Sequence, residues 1–404
     1  MSWIPTKPLT EITLEDLEEL IGVAESDRLE FKRDAYGTTR EDRREMLRDI
    51  TSFANARGGY LLLGIEEDDE DRATEIVGIP QAEEEGTRML SCCLACIEAR
   101  VLGLNFHTVP VGDGLQVLIW QIPRSTRAPH MIIFRGRQEF WRRHGRQKDQ
   151  MTIEEIREAC LRTESIRRSL EDFLAERRES VLAQIGGKPW LWLTATPLVV
   201  RGELVDIGDE VVRQIMLKPP YRREPGEWTV ECSDRVRPSL YGLVTELDHS
   251  RRLEVFRNGH MEFRVPIGAS FCREEFESPP GHKHSVLYPY PLAEYPLSFL
   301  HSVGALADHV AIMEPTVIGL SILNAGGLAL RGGVPGTYHY RVQGIDRVPT
   351  WKHDQHLEVP FMQFAYPMQP DQVAKSLADR VWNAFGYEEC PVLDEDGELV
   401  LEGN

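Results

Sequence analysis

The run Tyr60-Leu61-Leu62-Leu63-Gly64-Ile65, entered through Gly58-Gly59, constrains the fold more than any other part of the chain. Five apolar residues and one glycine in succession leave no polar face, which is the pattern of a strand covered on both sides. Such a strand needs packing layers above and below it, so the elements around it must supply them. Before it, Leu29-Glu30-Phe31-Lys32 alternates, which puts Leu29 and Phe31 inward and Glu30 and Lys32 on the opposite face. Between the two strands, Gly37 and a Thr38-to-Glu41 capping box open a helix with Leu47, Ile50, Phe53 and Ala54 on one stripe. Upstream, Thr13 and Asp16 make another capping box, with Ile12 and Leu17 as a hydrophobic staple and Gly22 closing the helix.

Further along, residues 87–100 read as a helix, and 115–122 and 138–143 as strands. Thr152 with Glu155 caps a helix stapled by Met151 and Ile156. Residues 164–184 are charged and helix-favouring, and Gly186-Gly187 ends them. The organisation expected is therefore a domain over 1–165, a helical linker over 166–187 and a second domain over 188–404. The second half reads as α+β: a strand at Trp190, a meander from Leu240 with a hairpin turning at Asn258-Gly259, a helix over 291–310, and a helix capped by Asp371. The fold class expected overall is α+β, with no internal repeat joining the halves.

Composition limits what the chain can do. With a net charge of -19, it is no general coat for nucleic acid, because phosphate binding needs clustered Lys and Arg. Charge is segregated, however. Arg124, Arg127, Arg135, Arg137, Arg142, Arg143, Arg146 and Lys148 fall in one block, interleaved with Phe134, Phe140 and Trp141, a mixture suited to phosphate contacts beside base stacking. A solvated loop would read the same. No apolar run has the length of a membrane span, and Met1 to Pro8 is too poor in apolar residues for a signal peptide. An odd number of cysteines without framework spacing fits no disulfide scaffold, so a cytoplasmic protein is expected.

Three acids could converge: Glu25 in a turn, Glu30 on a strand, and Glu66 or Glu67 where the apolar strand ends. Carboxylates at strand ends are common ligands of a divalent ion, which polarises a phosphodiester and supplies hydroxide. Lys32, on the face of Glu30, would stabilise charge growing on the phosphate. An ordinary salt-bridged surface strand has the same spacing. Cys92, Cys93 and Cys96 near His107 suggest zinc but lie on an apolar helix, where buried structural thiols are the better reading. His282, His284, His353 and His356 lack a ligand frame. Asn324 to Gly333 is glycine-rich without the Gly-Lys-Ser/Thr ending of a phosphate-binding loop. His144 suits a phosphate contact, a general acid or a plain surface position.

Glu25-Ser26-Asp27-Arg28-Leu29-Glu30-Phe31-Lys32, followed by Ser52-Phe53-Ala54-Asn55-Ala56-Arg57-Gly58-Gly59 and the apolar strand to Glu67, resembles the signature of the Schlafen AlbA-like domain. Arg124 to His130, Phe140 to Gly145 and Met151 to Ile156 resemble the end of the same domain, so the likeness covers about residues 15–165. The family includes endoribonucleases that cleave transfer and ribosomal RNA, together with regulators and nucleotide binders. By that resemblance Glu25 and Glu30 are catalytic acids. The third falls on Glu67, where the nucleases have aspartate, and the extra methylene moves a ligand by roughly an ångström. The resemblance implies a Mg2+- or Mn2+-dependent endoribonuclease acting on structured RNA such as transfer RNA, in a phage-defence or toxin-like role. Glu25, Glu30 and Glu67 would bind the metal and the arginine block would seat the RNA, with DNA left open as a partner. The alternatives are a non-catalytic nucleic-acid-binding regulator and a protein-interaction module. The family's nuclease core joins two lobes and one is recognised here. Residues 188–404 would then serve as sensor, dimerisation domain or second lobe, and a homo-oligomer is expected.

Overall fold

The computed structural model describes residues 9–199, 202–222, 228–247, 250–276, 283–310, 312, 315–332, 348–364 and 368–400. His282 and Gly333 lie outside these, as do Met1 to Pro8. The chain divides into two compact units, with the boundary between Ser169 and Leu170.

The first unit begins with α1 (Leu14–Glu18), capped by Thr13 and Asp16 as expected but only five residues long. β1 (Leu29–Lys32) leads through α2 (Arg40–Ala54) to β2 (Gly59–Leu63), and the two strands pair in parallel. A parallel pair needs such a crossover, and the helix supplies it. The cap of α2 is Thr39 with Asp42, one residue later than the sequence pattern suggests. β3 (Ile65–Glu67) and β4 (Ala73–Ile76) form a short hairpin, followed by α3 (Ala82–Cys96) and β5 (Ile97–Glu98). The helix expected over 87–100 thus starts earlier and stops at Cys96. β6 (Asn105–Gly112) and β7 (Leu115–Ile122) complete a sheet of order β1-β2-β7-β6. β8 (Met131–Phe134), β9 (Arg137–His144) and β10 (Gln147–Gln150) join β5 in a second sheet, ordered β10-β9-β8-β5. α4 (Ile153–Ile185) follows, opened by the Thr152–Glu155 capping box.

The apolar strand β2 is buried along its whole length because its two faces enter different cores. Tyr60 and Leu62 pack with Leu17, Leu20, Leu29 and Phe31. Leu61 and Leu63 pack with Met46, Ile50, Phe53 and Trp120, under α2 and α3. The Gly58-Gly59 entry is obligatory. Gly59 has φ of 157°, and a Cβ there would stand 2.4 Å from the Arg28 carbonyl oxygen; at Gly58 it would stand 2.4 Å from the Arg124 nitrogen.

Asn55, just past α2, is fully buried and acts as a backbone splint. Its amide donates to the carbonyls of His130 (3.0 Å) and Trp141 (2.9 Å), and its oxygen accepts from the His130 N–H (2.6 Å). The end of α2 is thereby bonded to β9 and to the residue preceding β8.

In the second unit, β11 (Trp190–Pro197) is followed by α5 (Glu210–Leu217), then β12 (Arg237–Pro238), β13 (Gly242–Leu247), β14 (Arg251–Phe256) and β15 (Met261–Pro266). β16 (Cys272–Phe276), β17 (Lys283–Leu287), α6 (Pro289–His309), β18 (Thr316–Leu323), β19 (Leu328–Leu330), β20 (Leu357–Phe364) and α7 (Pro370–Ala384) complete it. The main sheet has seven strands in the order β12-β13-β14-β15-β11-β18-β20, all antiparallel. The expected meander and its Asn258-Gly259 turn are present, with Gly259 at φ of 82°. Asp371 sits inside the first turn of α7, after Pro370, rather than capping it. The fold is therefore α+β.

The stretch read as a linker is more than a connector. From Leu170 onward α4 belongs to the second unit, where Leu170 and Leu174 pack on Val317, and Val181 and Ile185 on Trp192 and Leu323. Beside them, Arg177 grips the buried Glu262 through both carboxylate oxygens, at 2.7 and 3.2 Å. Burial alone would push the Glu262 carboxyl up, but hydrogen bonds from His260 and Arg177 outweigh it and hold the group at about 2.

Two substitutions test these joints in urea titrations. Asn55→Ala leaves buried backbone groups unpaired and is expected to cost about 2–4 kcal/mol. Arg177→Ala strands a buried carboxylate and is expected to cost about 3–5 kcal/mol.

Candidate functional site

Glu25 lies in the turn before β1, held at both ends. Its N–H donates to the Asp71 carbonyl (2.8 Å), and its Oε1 accepts from the Phe31 N–H (2.7 Å). Glu30 and Lys32 project from the β1 face opposite Leu29 and Phe31, as alternation requires. That face is not open, however. Glu30 is buried, with Lys32 Nζ 2.5 Å from Oε1 and Arg143 of β9 donating to Oε2. The Arg143 guanidinium is itself buried, 4.3 Å from the Phe53 ring centroid, and donates to the Arg146 carbonyl. Glu30's carboxyl feels burial, which raises it, but the charges of Lys32 and Arg143 win and hold it below the usual range.

Deeper under the same face, Asp49 of α2 has no solvent exposure. Lys148 of β10 donates to it and to Glu45, and the Tyr36 hydroxyl donates at 2.5 Å. Burial, reinforced by Glu30, pushes the Asp49 carboxyl up to about 6 against the pull of Lys148 and Lys32. Sequence reasoning missed Tyr36, Glu45 and Asp49. The signal was there: Glu45 and Asp49 are one turn apart, and Asp49 interrupts the stripe between Met46 and Ile50.

The predicted acids do come together. Glu25 is half-buried, and its carboxyl is raised to about 7 by burial and then by the neighbouring charges of Glu30 and Glu67, despite the opposing Phe31 N–H and Lys32. Glu67, at the end of β3, is exposed, shares a hydrogen bond with Glu25, and is also raised, by desolvation first. The two neighbouring acids point elsewhere. Glu66 is 3.6 Å from Arg33, and Asp68 accepts the N–H groups of Glu70 and Arg72 in its own turn. Glu67 is thus the acid that meets Glu25.

The basic block is split by strand alternation. On β9, Glu139, Trp141 and Arg143 face α2: Arg44 donates to Glu139, Arg48 lies 4.5 Å from the Trp141 centroid, and Arg143 is spent on Glu30. Phe140, Arg142 and His144 take the other face. Phe140 packs near Ala159 and Ile156 of α4, while Arg142 (3.9 Å) and His144 (2.9 Å) approach Glu155. Lys148 is committed to Glu45 and Asp49, and Arg146 to Asp71 (2.5 Å). Arg124, Arg127, Arg135 and Arg137 are exposed. Arg143, expected to contact RNA, is out of reach of any external phosphate, because the β period turns it inward. The aromatics of the block are likewise used mainly in packing.

Cys93 is buried and its thiol is pushed up by burial, the behaviour of a packed helix cysteine. Among the described residues, no group of three or more His, Cys, Asp or Glu side chains is arranged to hold a metal ion. Among them also, no helix is long and apolar enough to cross a membrane.

A parallel β-α-β core, an acid pair at its strand ends and a glycine-pinned apolar strand define the class of domain. Residues 25–152 match the model of the family described as Schlafen, AlbA_2, so the N-terminal part of this chain carries that domain, as the Glu25-to-Lys32 and Ser52-to-Glu67 motifs imply. Among solved structures, the N-terminal domain of a RecG-related protein from Nitrosomonas europaea is similar at 25% identity, over 35% of this chain and 90% of its own, with a TM-score of 0.25. The DIP2311 protein from Corynebacterium diphtheriae is similar at 16% identity, over 31% of this chain and 22% of its own, with a TM-score of 0.22. No curated protein matches.

The raised Glu25 carboxyl has a measurable consequence. Its folded-state value of about 7 lies above the ordinary 4.5, so its contribution to stability is full below pH 4.5 and is lost as pH rises through 7. Glu25→Gln keeps an acceptor for Phe31 and removes the charge. With chelator present, its melting temperature should match the parent near pH 4.5 and exceed it increasingly towards pH 8. A difference independent of pH would contradict the assignment.

Proposed function

We propose that the N-terminal unit binds nucleic acid and cleaves the backbone of a structured RNA, transfer RNA being the expected class. The observation that carries this reading is the Glu25–Glu67 pair. Two carboxyl groups, one in the turn before β1 and one at the end of β3, share a hydrogen bond, one of them exposed, both raised above the ordinary range, with Lys32 beside them. The match to the Schlafen, AlbA_2 family supports a nucleic-acid-related role.

A divalent cation fits this pair. Crowded carboxylates gain from a shared positive charge, and Mg2+ is ordinarily held by one or two carboxylates while keeping its waters. Glu30 is not a third ligand in this arrangement, because Lys32 and Arg143 occupy its two oxygens. Bound there, Mg2+ or Mn2+ would polarise the phosphodiester and lower the pKa of a coordinated water. The chain's own groups do the rest. Without a cation Glu25 has a raised proton affinity; a bound cation would take the place of that proton, so that Glu25 and Glu67 would act as its ligands. Lys32, steered by Glu30, presents its ammonium to the phosphate oxygens. Exposed Arg124, Arg127, Arg135 and Arg137 supply positive charge for the nucleic-acid strand.

One observation favours a second reading, a non-catalytic nucleic-acid-binding regulator: Glu30 is already neutralised, leaving two free acids where three were expected.

Incubation with transfer RNA in Mg2+ or Mn2+ separates the readings. The parent chain should yield fragments, and Glu25→Gln or Glu67→Gln should slow their appearance about a hundredfold or more. RNA left intact by the parent with either metal would retire the nuclease and leave the regulator.

A further inference from the structure

Most arginines of the first unit have a carboxylate in contact: Arg44 with Glu139, Arg88 with Glu85, Arg143 with Glu30, Arg146 with Asp71. In a chain with 65 acidic side chains this is the easy outcome. Others, such as Arg28, Arg40 and Arg43, make no ion pair among the described residues, and three arginines with weak or no pairing lie close to one another. Arg124 follows β7, Arg142 lies on the outward face of β9, and Arg162 lies on α4.

Their proximity follows from packing. Thr163 donates to the Ala128 carbonyl at 2.6 Å, which fixes this turn of α4 on the loop that Arg124 opens. Ala128, Phe140, Met151, Ile156 and Ala159 form one apolar cluster, so the same helix face lies on β9 at Phe140. Arg142 is two residues on and shares the strand face of Phe140. Among the described residues Arg124 and Arg162 make no ion pair. Arg142 has a single distant one, to Glu155 at 3.9 Å, an acid already engaged with Thr152 and His144. Arg162 is half-buried, and its guanidinium is held below its ordinary range by burial and then by the charges of Arg124 and Arg142, with Glu158 opposing. Nothing in the described fold needs three like charges here.

We infer that Arg124, Arg142 and Arg162 form a clamp for backbone phosphates of a nucleic-acid strand, with α4 contributing to the binding face. Guanidinium forks match phosphate oxygens in pairs, and an incoming polyanion relieves the mutual repulsion of the three like charges. The inference extends the nucleic-acid reading of the previous subsection but not its chemistry: a clamp serves a silent binder equally well. It also moves the binding face away from Arg143 and Lys148, which the protein uses internally, to an arginine outside the basic block.

Fluorescence anisotropy with a structured RNA over a series of salt concentrations tests it, using the full chain and the Arg162→Gln, Arg124→Gln and Arg157→Gln variants. Arg157, paired with Glu154 on the exposed side of α4, serves as the control. Melting temperatures confirm that each variant is folded. Loss of one phosphate contact should weaken binding about tenfold and reduce the salt slope by about one for Arg162→Gln and Arg124→Gln, and leave Arg157→Gln unchanged. Unchanged affinity and slope in Arg162→Gln, or a parent chain that does not bind RNA, would overturn the clamp. Cleavage is read in the same samples with Mg2+: binding that depends on Arg162 without fragments removes the nuclease and keeps the clamp.

Discussion

Glu30 is a carboxylate placed where a hydrophobic side chain would ordinarily go, and its two partners come from different parts of the chain. Lys32 is two residues along the same strand, and Arg143 reaches it from the second sheet. Breaking such a buried pair by removing one member costs about 3–5 kcal/mol, because the survivor is left charged and unpaired. That penalty selects one packing. β1, α2 and β9 must meet in the register that brings Arg143 to Glu30 and Trp141 to Asn55. Asp49 with Lys148 repeats the device one turn away on α2. The interior between the two sheets is therefore partly ionic, and its polar groups close on one another.

The same arrangement decides what is left for function. Glu30 steadies Lys32, so the ammonium is held beside the acid pair. Glu25 and Glu67, by contrast, make no ion pair among the described residues and press against each other. A site whose carboxyls are raised, by burial first and by neighbouring acids after it, is poised to accept a proton or a cation, whereas Glu30 beneath it is held charged by Lys32 and Arg143. Acids of similar appearance in the sequence thus divide into scaffold and chemistry according to what each one faces.

The second unit uses a buried pair of its own, Arg177 on Glu262, to seat the latter part of α4 on the sheet face that carries Trp192. Charged, helix-favouring composition made residues 166–187 resemble a connector, yet Leu170, Leu174, Val181 and Ile185 recur at helical spacing and sit on one stripe. A charged residue on a helix reads as solvated until its partner is known, and Glu262 lies 85 residues away.

Local pattern alone determined much of this protein. The doubly covered β2, the alternation of β1, the Thr13 and Thr152 capping boxes and the Asn258-Gly259 hairpin depend on neighbours within a few residues, and such signals survive in the chain order. The motif from Glu25 to Glu67 also marked the domain and brought Glu25, Glu30 and Glu67 to attention. Tertiary structure decided their roles. Whether Glu30 would be open or buried depended on Arg143, 113 residues later. Which acid would meet Glu25 depended on the turn that occupies Asp68. The basic block looked continuous because sequence lists residues in a line, while a strand sends alternate side chains to opposite faces and gives each face different company. Charge is legible in sequence, but its compensation is a matter of distance, and distance belongs to the fold.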